Sequence, residues 1–81
     1  MHELAIAEGI LHGVCERAAG RTVHKVTVRI GAMAAVLPDA LRFCFDLAAE
    51  GTAAEGATLE IEESPGGDLL VVSMEVAQPC A

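Results

Sequence analysis

The sequence predicts a small two-layer α+β domain, with element order α-β-α-β-β and two helices covering one face of a three-stranded sheet. Three observations carry that prediction. Apolar residues recur with a helical period over residues 4–18 and again after Pro38. They alternate with polar residues over 22–30, 57–62 and 70–76, as in strands with one buried and one wet face. Glycines at 20, 31 and 51 and the run Pro65-Gly66-Gly67-Asp68 punctuate the boundaries. All 81 residues fit one domain, 1–81. A chain of that size buries only about 60–65% of the surface its unfolded form exposes.

The first helix rests on the stripe Leu4, Ala7, Leu11, Val14, Cys15 and Ala18, with Glu8, His12, Glu16 and Arg17 largely off it. Glu3 falls in or just before its first turn, where a negative side chain suits the positive end of the helix dipole. Gly20 is the expected C-terminal stop. Gly9 and Gly13 each cost the helix about 1 kcal/mol relative to Ala, which tertiary packing is expected to offset.

The first strand follows, with Val26, Val28 and Ile30 inward and Lys25, Thr27 and Arg29 outward, ending at Gly31. Residues 31–37 form a connection without a clear period. Pro38 then opens the second helix, where its missing N–H does no harm. Leu41, Cys44, Phe45 and Ala48 make that helix's stripe, widened by Phe43 and Leu47. In the second strand Ala57, Leu59 and Ile61 point inward, and in the third Leu70, Val72, Met74 and Val76 do. So short a link between these two strands predicts that they pair antiparallel. The outward face collects Lys25, Arg29, Glu60, Glu62 and Glu75, an ion-paired wet surface worth roughly 0.2–1 kcal/mol per well-placed pair.

Composition narrows the function. The formal net charge of −7 argues against nucleic acid, whose binders cluster Lys and Arg on one face. The first apolar stretch is interrupted by Glu8, His12 and Glu16 and is not a signal peptide. No run approaches the roughly 18 apolar residues of a membrane span, so a soluble, cytoplasmic protein is expected. The three cysteines form no C-x-x-C pair, which argues against a disulfide framework or a cysteine zinc site. Cys15 and Cys44 read as reduced core residues and Cys80 as a loose thiol.

The chemistry concentrates at the chain start. Met1-His2-Glu3 puts an α-amino group, backbone amides, an imidazole and a carboxylate within a few bonds of one another. One metal ion taking the Met1 amine, the His2 amide nitrogen and His2 Nδ1 closes five- and six-membered chelate rings. An amide nitrogen yields its proton only to a strongly polarising ion that favours a square-planar field, which singles out Ni²⁺ or Cu²⁺. The bulk of His2 disfavours removal of the initiator Met, so the amine is expected to persist. His12 and His24 are candidate auxiliary ligands, better read as surface or strand-end residues, and Glu8 as a solvated or docking residue.

The chain resembles the HypA/HybF family of nickel-incorporation accessory proteins for [NiFe]-hydrogenase and, in some bacteria, urease. The resemblance lies in Met1-His2-Glu3-Leu4, Val28-Arg29-Ile30-Gly31, Pro38-Asp39-Ala40-Leu41-Arg42-Phe43 and Gly56-Ala57-Thr58-Leu59-Glu60-Ile61, and extends from Met1 to about Pro65. Residues 70–76 also resemble the family's final strand. It implies a nickel metallochaperone whose ligands are the Met1 amine, the His2 amide and imidazole, and an oxygen or nitrogen of Glu3. It implies as partners the nickel-loading accessory GTPase and the hydrogenase large subunit. The family carries a zinc lobe held by two Cys pairs between its last two strands. Here residues 64–68 stand in its place, so no zinc is expected in this form.

Two other classes compete. A metal-free interaction module would dock on the GTPase or the large subunit without binding nickel. An enzyme would need a nucleophile with a placed base in an enclosed pocket. Ser64, Ser73 and the three histidines are scattered along the chain, so no enzymatic role is expected.

Overall fold

A computed structural model describes residues 2–77. The order is helix α1 (Glu3–Ala18), strand β1 (Val23–Gly31), a 3-10 turn (Ala32–Ala34), helix α2 (Pro38–Ala49), strand β2 (Thr58–Ser64) and strand β3 (Leu69–Val76). The α+β order read from the periodicities is the order found.

The strand pairing is not the one expected. β1 lies in the middle, parallel to β2 and antiparallel to β3, so β2 and β3 form the two edges and do not pair with each other. The composition of β1 accounts for this. Val23, Val26, Val28 and Ile30 are all buried, and even outward-facing Thr27 is covered by the strands on either side. The short link is a bridge rather than a hairpin turn. Crossing one strand spans two strand spacings, about 9.6 Å, which four residues at up to about 3.3 Å each can reach. Residues 65–68 pass over the end of β1, where the Gly31 N–H donates to the Asp68 carbonyl (2.7 Å) and the Met33 N–H to the Gly66 carbonyl (3.0 Å). A Cβ at position 31 would run into the Gly66 carbonyl group and the Asp68 nitrogen, which is why β1 ends in glycine.

The core lies between the sheet and the two helices, and Phe45 and Leu41 are its largest fully buried side chains. Ala7, Ile10, Leu11 and Val14 join them from α1, and Val26, Val28 and Leu59 from the sheet. Cys15 and Cys44 sit half-buried at the margin of this core as free thiols. Cys80 lies outside the described residues.

Several faces depart from the periodic reading. Leu4 is exposed while Glu3 is buried, and Phe43 and Leu47 of α2 face out. In β3 the register slips between Thr27↔Ser73 and Val28↔Val71, leaving Val72 as a bulge. That extra residue inverts the alternation, so Val71 and Leu69, rather than Val72 and Leu70, stand opposite inward Val28 and Ile30. Residues 69–72 all remain 41–45% exposed. Helix α1 turns left-handed at Ala19 (φ 53°), one residue before Gly20 (φ 88°). The buried stripe of α1 supplies the packing that offsets its glycines, while nothing lies within 4 Å of a Cβ built at Gly9 or Gly13.

The outer face of the sheet is ion-paired as predicted. Lys25 lies 3.5 Å from Glu60 and 3.8 Å from Glu75, and Arg29 lies 3.3 Å from Glu62.

Candidate metal centre

Both helices begin at the same end of the molecule. The Glu3 carboxylate, in the first turn of α1, accepts a hydrogen bond from the Leu37 N–H (3.0 Å), and Leu37 is the N-cap of α2. The bond engages the N-cap residue's own N–H, the donor that an acidic side chain three residues on, where this chain has Ala40, would engage in a capping box. The end of β1 and the 65–68 bridge lie at this end too. One short segment, 31–37, is thus held by the bridge at Gly31 and Met33 and by Glu3 at Leu37.

Glu3 is only 7% exposed, yet it is ionised. Its pKa is lowered to about 2, first by a hydrogen bond from the positively charged amino terminus, then by the N–H groups of Leu37 and of Glu3 itself, against an upward push from burial. Its carboxylate therefore acts as a clasp that fixes the first turn of α1 against the start of α2.

His2 stands immediately ahead of that clasp as the N-cap of α1. Its side chain makes no capping hydrogen bond, and the residue is exposed. Its carbonyl accepts from the Ile6 N–H (2.9 Å), so the amide groups ahead of Ile6 lie outside the helical ladder. An exposed imidazole beside main-chain nitrogens that no helix turn engages is a donor set suited to the planar chelate. Met1, the remaining member of the predicted set, lies outside the described residues.

The auxiliary candidates are dispersed. His12 is exposed in mid-helix, 3.6 Å from Glu16, and Glu8 is exposed one turn nearer the helix start. His24 occupies the register slip near the beginning of β1, at the opposite end of the strand from Gly31. Among the described residues no three His, Cys, Asp or Glu side chains come together in a way that could hold a metal ion. A site built partly from main-chain nitrogens is of a different kind. The Leu37 amide is the contributor that sequence reasoning missed, and being main chain it leaves no signature in residue identity.

A family profile described as "Hydrogenase/urease nickel incorporation, metallochaperone, hypA" matches residues 1–67, which places the chain in the class of metal-handling accessory proteins. The chain belongs to the HypA family. It is 52% identical over 66 residues to the hydrogenase maturation factor HypA of Nostoc punctiforme, covering 82% of this chain and 58% of that protein. It is 48% identical over 66 residues to the HypA of Trichodesmium erythraeum, with the same 82% and 58% coverage. With HypA 2 of Bradyrhizobium diazoefficiens it shares 51% identity over 69 residues, 82% of this chain and 61% of that protein. The matched region thus spans about three fifths of these relatives. No helix among the described residues is long and apolar enough to cross a membrane.

Proposed function

We propose that this chain is a nickel carrier: it takes Ni²⁺ on the Met1 amine, the His2 amide and imidazole nitrogens and Glu3, and hands it on for assembly of [NiFe]-hydrogenase or urease. Its partners in this reading are the nickel-loading accessory GTPase and the hydrogenase large subunit, and its compartment is the cytoplasm. Residues 1–81 act as a single nickel-binding domain in which the turn at 64–68 replaces the zinc lobe, so that this form handles nickel without zinc.

The observation that supports this reading most is the start of α1. An exposed His2 and main-chain amides outside the helical ladder are carried on a turn that Glu3 holds rigidly to Leu37. The ion is cargo here, so the site must both hold and release it. An exposed His2 would let a ligand from the recipient approach before the carrier lets go. Glu3 lies next on the chelate path and supplies an oxygen or a nitrogen in this reading.

Nickel titration of the native-start chain beside one extended by two residues ahead of Met1 tests the proposal. Loss of a direct ligand should weaken binding by more than the roughly 10–100-fold typical of losing an outer-shell partner. Equal affinity would move the site elsewhere. A native-start chain with no nickel adduct in its mass spectrum would favour the metal-free docking module.

A further inference from the structure

We propose that the outward seam between α1 and α2 is a docking surface for an amphipathic helix of another protein, one that carries lysine or arginine on both sides of its apolar stripe.

The chain leaves an apolar strip uncovered on its helical side. Leu4, Leu37, Phe43 and Leu47 are 48–68% exposed. Of the two phenylalanines, Phe45 fills the core while Phe43 is the most exposed of these four residues. Single apolar side chains are ordinary on a surface, whereas a contiguous set marks a contact.

Helix geometry makes these residues contiguous. Arg42, Asp46 and Glu50 line a depression shared with residues 55–59, on the β2 side of α2. The opposite flank of α2, with half-buried Ala40 and Cys44, therefore faces α1. On α1, Ile6, Gly9, Gly13 and Arg17 border β3, so Leu4 and half-buried Cys15 lie on the flank toward α2. The two helices pack on each other and begin at the same end, tied by Glu3 and Leu37. Their seam thus has a floor of small side chains, Cys15, Ala40 and Cys44. Leu4 and Leu37 stand at the end beside Glu3, and Phe43 and Leu47 stand farther along. Residues 37–47 rise about 15 Å, room for about three turns of a third helix laid along the seam. Such a helix meets a groove through side chains spaced i, i+3/i+4 and i+7.

Charge selects the occupant. Exposed carboxylates border the strip on both sides: Glu8 is one turn beyond Leu4, Asp39 and Asp46 are helix neighbours of Phe43, and Glu50 is a neighbour of Leu47. Arg42, the one cation in α2, already lies 3.2 Å from Asp39. A second copy of this chain is a poor occupant, because its formal net charge is −7 and its single lysine, Lys25, is paired with Glu60 and Glu75. A cationic segment with an apolar stripe satisfies both the strip and its borders. Leu4 follows Glu3 and Leu37 donates to it, so the seated helix ends beside the candidate metal centre. Use of the surface in passing nickel rests on the function proposed above; the docking itself does not.

NMR titration of the metal-free chain with three synthetic peptides tests this: an amphipathic Leu–Lys helix, the same residues reordered so that no helical stripe remains, and a Leu–Glu counterpart. The Leu–Lys helix should shift the amides around Leu4, Phe43 and Leu47. The reordered peptide should bind about tenfold or more weakly, and the Leu–Glu peptide should leave the amides unshifted. Phe43→Ser combined with Leu47→Ser should weaken the Leu–Lys helix by about tenfold or more without lowering the melting temperature, since both side chains are exposed. Glu8→Lys should weaken it as well. Equal binding of the reordered peptide would reduce the surface to charge and overturn the proposal. So would shifts centred on β3 or on the outer face of the sheet, or binding that survives the double serine variant. Nickel titration of the same protein keeps the two readings apart. A chain that holds the peptide but takes no nickel fails the nickel reading alone, and one that takes nickel but not the peptide fails the docking alone.

Discussion

The two ends of the sheet are closed by different chemistry. Where α1 ends and β1 begins, main-chain bonds tie one element to the next, from the Val23 N–H to the Ala53 carbonyl and from the Ala77 N–H to the Thr22 carbonyl, both 2.8 Å, while Thr52 and Glu55 bond only locally, to Ala49, Ala54 and Gly51. Where the helices begin, main-chain bonds hold Gly31 and Met33, but the tie between α1 and α2 is a carboxylate. A main-chain closure is indifferent to side-chain identity and to proton concentration. The Glu3 clasp depends on both. The molecule thus has one end whose ties between elements are main-chain and one where the tie between the helices is an ionised side chain next to the candidate ligands.

Phe45 belongs to the one core that both helices and the sheet share, so its loss should erase the difference between the ends. Phe45→Ala removes the largest fully buried side chain and should cost about 3–5 kcal/mol, a large part of what a domain this small possesses. Chemical denaturation should show one cooperative transition at a much lower midpoint, with amides at both ends losing protection together.

Acid should separate the ends with a smaller effect. Glu3 titrates at about 2 in the folded chain against an ordinary value of 4.5. The unfolded chain therefore takes up the proton first as pH falls. The stabilisation is complete above about 4.5 and is lost on descending through about 2. Hydrogen exchange should show the Leu37 amide losing protection across that interval while Val23 and Ala77 keep theirs. Glu3→Ala should reproduce the acid state at neutral pH, speeding exchange at Leu37 and leaving the core intact. Equal protection of Leu37 in Glu3→Ala and wild type would deny the clasp.

Much of this was legible in the residues. The periods of residues 4–18 and 22–30 identify α1 and β1, Pro38 and Gly51 bracket α2, and the opposed charges of Lys25, Arg29, Glu60 and Glu62 foretell the paired outer face. The strand order was not legible, because hydrophobic alternation says which face of a strand is buried and nothing about which strand lies beside it. A short link suggests a hairpin, and only the two bonds from Gly31 and Met33 reveal that it crosses β1 instead. The bulge at Val72 was equally hidden, since an extra residue in an apolar run leaves the composition of the strand unchanged. At the candidate site, His2 and Glu3 stood out by their donor atoms. The Leu37 amide did not, since any residue could supply it.

The most direct measurement on the nickel reading is calorimetric titration with Ni²⁺ as a function of pH. An α-amino group of pKa about 7.7–8.0 must lose its proton to bind, so affinity should fall by about tenfold or more for each pH unit below roughly 7. Equal affinity in mildly acidic and mildly alkaline buffer would contradict a site built on the amino terminus.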